Sequence, residues 1–143
     1  MKYNLKSATN DDIDYLKRAK LYTILAHSNN LSDDEVKRIN RYVDQNVPLD
    51  INNYKLIISD NKRIGCLLLK EKEDGVLLDE IYLEDDFRNK GIGTSIISNV
   101  LENSNIVYLW VYKDNIKAVK LYKRLLFNVI DETNTRYYMK YSK

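Results

Sequence analysis

The sequence predicts a mixed α/β protein: one mostly antiparallel sheet with helices on both faces, in the order β-α-α-β-β-β-α-β-α-β-β. Three observations carry that expectation. Apolar residues recur at helical spacing in two early and two late segments. Elsewhere they alternate, or run as short apolar stretches bounded by turn residues. Two early segments open on a Ser or Thr followed three positions later by an acid, the pattern of a reciprocal helix cap. A length of 143 residues fits one domain, 1–143, and is enough to bury one substantial core.

Tyr3 to Ala8 alternates as a first strand. Thr9, with Asp12 behind it, starts a helix running to about His27, its apolar face made by Ile13, Leu16, Leu21, Ile24 and Leu25. Ser32 and Glu35 open a second helix with Val36, Ile39 and Val43 on one side, and Pro48 is expected to follow that helix and stop it. Tyr54 to Ser59, a turn at Asp60 to Arg63, and Ile64 to Leu69 read as a hairpin. A charged turn from Glu71 to Gly75 leads into a third strand, Val76 to Leu83. Thr94 to Leu101 has helical spacing, and Ile106 to Tyr112 alternates Val107, Leu109 and Val111 with Tyr108, Trp110 and Tyr112. Trp110 is expected to pack in the core. Asn115 to Leu126 is helical, with Ala118, Leu121, Tyr122 and Leu125 on one face. Phe127 to Ile130 and Arg136 to Tyr141 are the last two strands. With only 4 Gly and 1 Pro, the turns must rely on Asn and Asp.

Composition narrows the function classes. A net charge of +2 lacks the basic signature of a dedicated nucleic-acid binder. The single cysteine, Cys66, excludes an intramolecular disulfide and fits a reducing compartment; set among leucines, it reads as a buried structural thiol. One Cys and one His, His27 at a helix end, are too few for a Cys/His zinc site, so no metal is expected. No signal peptide and no run long enough to span a bilayer are evident, so the expected setting is cytoplasmic, with no membrane or nucleic-acid partner.

The most informative stretch is Arg88-Asn89-Lys90-Gly91-Ile92-Gly93, between the third meander strand and a helix. Two glycines let the backbone approach a ligand, and the following helix offers unpaired N–H groups and its positive dipole end. Arg88 and Lys90 add charge there. This is a generic anion cradle. It is not the Walker loop, which needs Gly-Lys-Ser/Thr, nor the three-glycine Rossmann turn of a first βα unit.

With its flanks, the stretch resembles the GCN5-related N-acetyltransferase (GNAT) family. That family's core motif is Arg/Gln-x-x-Gly-x-Gly/Ala between a strand and a helix, and residues 88–93 fit every fixed position. Its second motif is matched by Asn115, Ala118, Tyr122 and Phe127, with Leu126 where the family usually has Gly. These motifs span about residues 76–130, and the element order agrees along nearly the whole chain. The resemblance implies an acyl-CoA N-acyltransferase-like fold.

The resemblance also implies the ligand, acetyl-CoA. The loop amides of Asn89, Lys90, Gly91, Ile92, Gly93 and Thr94 would hold its pyrophosphate, beside Arg88. Backbone groups of Ile81, Tyr82 and Leu83 would pair with the pantetheine arm, and Asn115 and Ala118 would line the other side. Acetylating an amine then has three needs: a base, because an ammonium with pKa ~10.4 is no nucleophile; an oxyanion donor; and a proton for the leaving thiolate. Tyr122 matches the family's general acid. Asp79, Glu80 or a water chain is the base, with Glu80 favoured. The acceptor is an amine of a small molecule or peptide, and residues 9–53, the acceptor-side helices, carry no decodable motif. The rival reading is an acyl-CoA-binding module without turnover. Tyr137, Tyr138 and Tyr141 on the last strands offer an aromatic edge for a homodimer.

Overall fold

The computed structural model describes residues 2–143. It holds a seven-stranded sheet in the order β1-β2-β3-β4-β5-β7-β6. The chain divides into two compact units: residues up to Leu68 with Glu80–Phe87, and Leu69–Asp79 with Arg88–Lys143.

The first unit contains β1 (Asn4–Ser7), α1 (Ile13–Ala26), α2 (Asp33–Leu49), β2 (Tyr54–Ser59), the start of β3 (Lys62–Lys72) and the end of β4 (Gly75–Leu83). Both expected capping boxes are present. Thr9 and Asp12 frame a short 3-10 turn ahead of α1, and the Thr9 N–H donates to Asp12 Oδ2 at 2.9 Å. At α2 the Glu35 N–H donates to Ser32 Oγ, and the Ser32 N–H to Glu35 Oε1, both at 3.1 Å. Pro48 does not follow α2 but lies inside its last turn. A proline there gives up one helical hydrogen bond, and the helix ends one residue later, at Leu49.

β2 and β3 form the expected hairpin, with a tighter turn than the sequence suggested. Only Asp60 and Asn61 make it, both with positive φ (50° and 62°), as a two-residue turn matching strand twist requires. Leu56 lies opposite Cys66, and Tyr54 opposite Leu68. These four side chains join Leu16, Ala19, Val43 and Val47 of the two helices in one buried cluster. A Cβ on Gly65 would stand 2.0 Å from the Tyr82 carbonyl oxygen, so glycine is what admits that strand backbone. Leu25, expected on the apolar face of α1, is 38% exposed; Ala19 and Lys20 occupy buried positions instead.

The second unit contains the remainder of β3 and β4, α3 (Ile92–Glu102), β5 (Ile106–Tyr112), α4 (Ile116–Arg124), β6 (Asn128–Glu132) and β7 (Arg136–Ser142). β4 and β5 pair in parallel from Val76↔Val107 to Leu78↔Leu109. β5–β7 and β6–β7 are antiparallel. Ile92, Ile96, Ile97, Leu109, Val119, Phe127 and Met139 are among its buried residues.

Two expectations fail here. Trp110 is 38% exposed, its ring tilted against Tyr138 at 4.5 Å with the Arg136 guanidinium over it, because its alternation places it opposite the buried Val107–Leu109–Val111 side. β7 with its tyrosines is not an edge, since it pairs on both sides, and β6 is the outer strand.

Leu126 closes α4 with φ 74°, a conformation suited to glycine, and is 71% exposed. The left-handed conformation costs an L-residue about 1–2 kcal/mol, of which glycine's extra chain entropy takes back about 0.5–1 kcal/mol. Leu126→Gly should therefore raise unfolding stability by about 0.5–1 kcal/mol, read by urea denaturation. A loss of stability would show that the exposed leucine contributes more than it strains.

Candidate functional site

In the second unit the loop ahead of α3 is built as an anion cradle. Asn89 (φ 59°) and Gly91 (φ 84°) are left-handed on either side of Lys90. Such alternation turns successive N–H groups toward one point. A Cβ on Gly91 would meet nothing within 4 Å, so conformation rather than packing favours glycine, and the space beside it is open. Gly91 caps α3, whose first helical bond is Ser95 N–H to the Gly91 carbonyl at 3.0 Å. The amides of Ile92, Gly93 and Thr94 precede that bond and have no acceptor within the helix. Lys90 is exposed, and Lys117 on α4 donates to Asn89 Oδ1, bringing a further cation to the loop. Converging amides, a helix N-terminus and two lysines suit a diphosphate.

α4 follows in the same unit. Asn115 is its cap, and its Oδ1 accepts from the Ala118 N–H at 3.3 Å. Tyr122 is 9% exposed, with its ring edge-on to Phe127 at 5.6 Å. Burial pushes its phenol up to about 12. The hydroxyl has no hydrogen-bond partner among the described residues. No fully buried side-chain oxygen or nitrogen there lacks one, so this hydroxyl is reached by solvent. That separates it from Tyr15, Tyr54 and Tyr108, whose hydroxyls donate to Glu84, Glu80 and Asp74.

The two acidic candidates have different surroundings. Asp79, in the second unit, is partly exposed and paired with Lys70 at 3.0 Å. Glu80, in the first, is 7% exposed. The Tyr54 hydroxyl donates to its Oε2 at 2.6 Å, Lys20 Nζ stands 3.6 Å from the same oxygen, and Cys66 Sγ lies 3.9 Å from Oε1. Burial, then the neighbouring Glu80, pushes both the Tyr54 phenol and the Cys66 thiol well up, so both stay protonated. Ile81, Tyr82 and Leu83 follow, half-buried, with Tyr82 edge-on to Tyr22 at 5.8 Å. The Tyr15 hydroxyl donates to Glu84, and Arg63 lies over the Tyr15 ring at 4.8 Å while pairing with Asp12.

The structure thus gathers residues 88–94 with the start of α4 in one unit, and surrounds Glu80 with partners in the other. Sequence reasoning missed Lys20, Tyr54 and Lys117. Lys20 had a signal: it falls one turn after Leu16, on the stripe that also holds Ile13 and Ile24. Among the described residues no group of three or more His, Cys, Asp or Glu is placed to hold a metal, and no helix is long and apolar enough to cross a membrane.

Comparison with known proteins adds the following. The family model described as Acetyltransferase (GNAT) family matches residues 19–127. Over 62 residues the chain is 40% identical to an uncharacterized N-acetyltransferase of Methanocaldococcus jannaschii, a match spanning 40% of this chain and only 27% of that protein. The fold is similar to that of PaiA N-acetyltransferase from Thermoplasma acidophilum in complex with coenzyme A, with TM-score 0.80 and 16% identity over 100% of both chains. It is also similar to Arabidopsis thaliana Naa50 in complex with the bisubstrate analogue CoA-Ac-MVNAL, with TM-score 0.67 and 22% identity over 100% of both chains.

Proposed function

The chain belongs to the acetyltransferase (GNAT) family, and from that premise we propose that it moves the acetyl group of acetyl-CoA to a primary amine of a small molecule or peptide, by direct transfer in a ternary complex. The observation that carries this reading is the loop at residues 88–94, with left-handed Asn89 and Gly91 opening α3. The family match runs across both compact units, which supports reading residues 1–143 as one domain. The one thiol, free and buried, supports a cytoplasmic setting.

Acetyl-CoA, when bound, supplies an acyl group activated as a thioester. The amides of Asn89 to Thr94 hold the diphosphate, with Arg88, Lys90 and Lys117 supplying positive charge. Backbone groups of Ile81, Tyr82 and Leu83 pair with the pantetheine amides, and Asn115 and Ala118 flank the arm. Glu80 takes the proton of the acceptor ammonium by way of water, and the freed nitrogen attacks the acyl carbon. As the C–N bond forms and the C–S bond breaks, the electron pair leaves on sulfur, where the Tyr122 hydroxyl is the donor; the second proton that the nitrogen sheds on becoming an amide passes through water to restore the phenol. Asp79 is paired with Lys70, and we assign the proton transfer to the buried Glu80 rather than to it.

The test is mass spectrometry of an amine panel incubated with protein and acetyl-CoA: polyamines, amino acids, and peptides with free N-termini or lysines. An amine heavier by one acetyl group is the expected product. Acetyl-CoA binding without any acetylated amine would favour the module without turnover.

A further inference from the structure

α1 buries one charged side chain. Lys20, 8% exposed, points its ammonium at Glu80 Oε2, 3.6 Å away, and lies 5.8 Å from the centre of the Tyr42 ring on α2. Around it the helix packs Ile13, Leu16, Ala19 and Ile24. A pair of apolar side chains would fill this space without desolvating two charges, so packing alone does not call for a lysine here.

The polarity of the cluster is fixed by its members. Lys20 carries only donors. Tyr54 from β2 and Cys66 from β3 keep their protons, so both donate toward Glu80. Burial alone drives a carboxyl toward its neutral form, whereas a nearby cation and hydrogen-bond donors favour the ionised one. Three groups, from α1, β2 and β3, therefore oppose burial at one carboxylate.

We infer that Lys20 is a positioning residue for acyl transfer: it keeps buried Glu80 as the carboxylate, the form that accepts the amine's proton. This rests on the reading of Glu80 as the base. In the step, one N–H bond of the ammonium breaks and its proton passes to Glu80, while Lys20 keeps its own. Glu80 then returns the proton to water after the product leaves, and the ion pair is restored.

The test is kcat/KM against pH for wild type, Lys20→Met, Lys20→Gln and Lys20→Arg, on an amine the mass spectrometry identifies. Loss of the charge should move the acid limb upward by at least about one pH unit, because an opposite charge at this range shifts a carboxyl by one to three. Rates should converge at higher pH, and the KM for acetyl-CoA should hold. Lys20→Arg should restore the limb. A merely structural role would scale the rate at every pH and leave the limb in place, and that result in a folded Met or Gln variant overturns the inference. Gln keeps the chain's length and polarity should Met not fold. If wild type acetylates no amine, the failure belongs to the functional reading, and Glu80 is followed instead by carboxyl ¹³C NMR. Titration at a higher pH in Lys20→Gln than in wild type supports the inference. An unchanged titration, or a wild-type Glu80 still protonated at pH 7, overturns it.

Discussion

Tyr122→Phe should lower kcat on the order of 10²-fold, the lower end of what a positioned acid supplies, and leave acetyl-CoA affinity within about twofold. The variant keeps the ring and its edge-on contact with Phe127. It removes a hydroxyl that bonds to none of the other described residues, so the melting temperature should barely change. The magnitude follows from acidity. A phenol pushed up to about 12 by burial is a weaker acid than a thiol at about 8.5. Handing over its proton outright is uphill by about 5 kcal/mol. The hydroxyl therefore acts chiefly through a hydrogen bond that strengthens as charge collects on sulfur, which is worth less than full proton transfer. Because the phenol stays protonated well above neutrality, the deficit should be the same from pH 7 to about 10. Steady-state kinetics over that range checks it, and an unchanged kcat would remove Tyr122 from the chemistry.

Gly91→Asp should weaken acetyl-CoA binding on the order of 10²-fold, while Gly91→Asn should cost less than about tenfold. Asn and Asp are the side chains that visit the left-handed conformation most readily after glycine. The added Cβ meets nothing within 4 Å, so both variants should fold. They differ only in a charge placed where the loop amides converge. Two like charges about 4 Å apart repel by roughly 1–4 kcal/mol near a protein surface, enough for the expected factor. Calorimetry with acetyl-CoA reads the difference, and pantetheine, which has no diphosphate, is the control that should bind both variants alike. Equal losses for Asp and Asn would mean that the loop was distorted rather than its charge reversed.

Much of this was legible in the sequence because it is local. The two capping boxes, the strand from Ile106 to Tyr112 and the loop that opens α3 depend on residues within a few positions of one another, and each stands where the spacing put it. The Asp60-Asn61 turn shows how a glycine-poor chain makes left-handed corners, and Leu126 shows it doing so without a favourable residue. What was not legible depends on contacts distant in sequence. Glu80 and Asp79 are neighbours that read alike, yet partners at positions 20, 54 and 66 surround one while Lys70 pairs the other. The position of β7 inside the sheet reversed the expectation of an aromatic edge, since strand order is set by pairing rather than by chain order. Among 12 tyrosines, nothing in the sequence marked Tyr15, Tyr54 and Tyr108 as the ones whose hydroxyls donate to acids distant in the chain.

Amine-dependent consumption of acetyl-CoA is measured directly as the rate of free coenzyme A thiol release, followed with a thiol-reactive dye across the amine panel. The predicted result is release that saturates in both acetyl-CoA and at least one amine, and falls to background without the amine. The contradicting result is acetyl-CoA raising the melting temperature while no amine in the panel lifts thiol release above background.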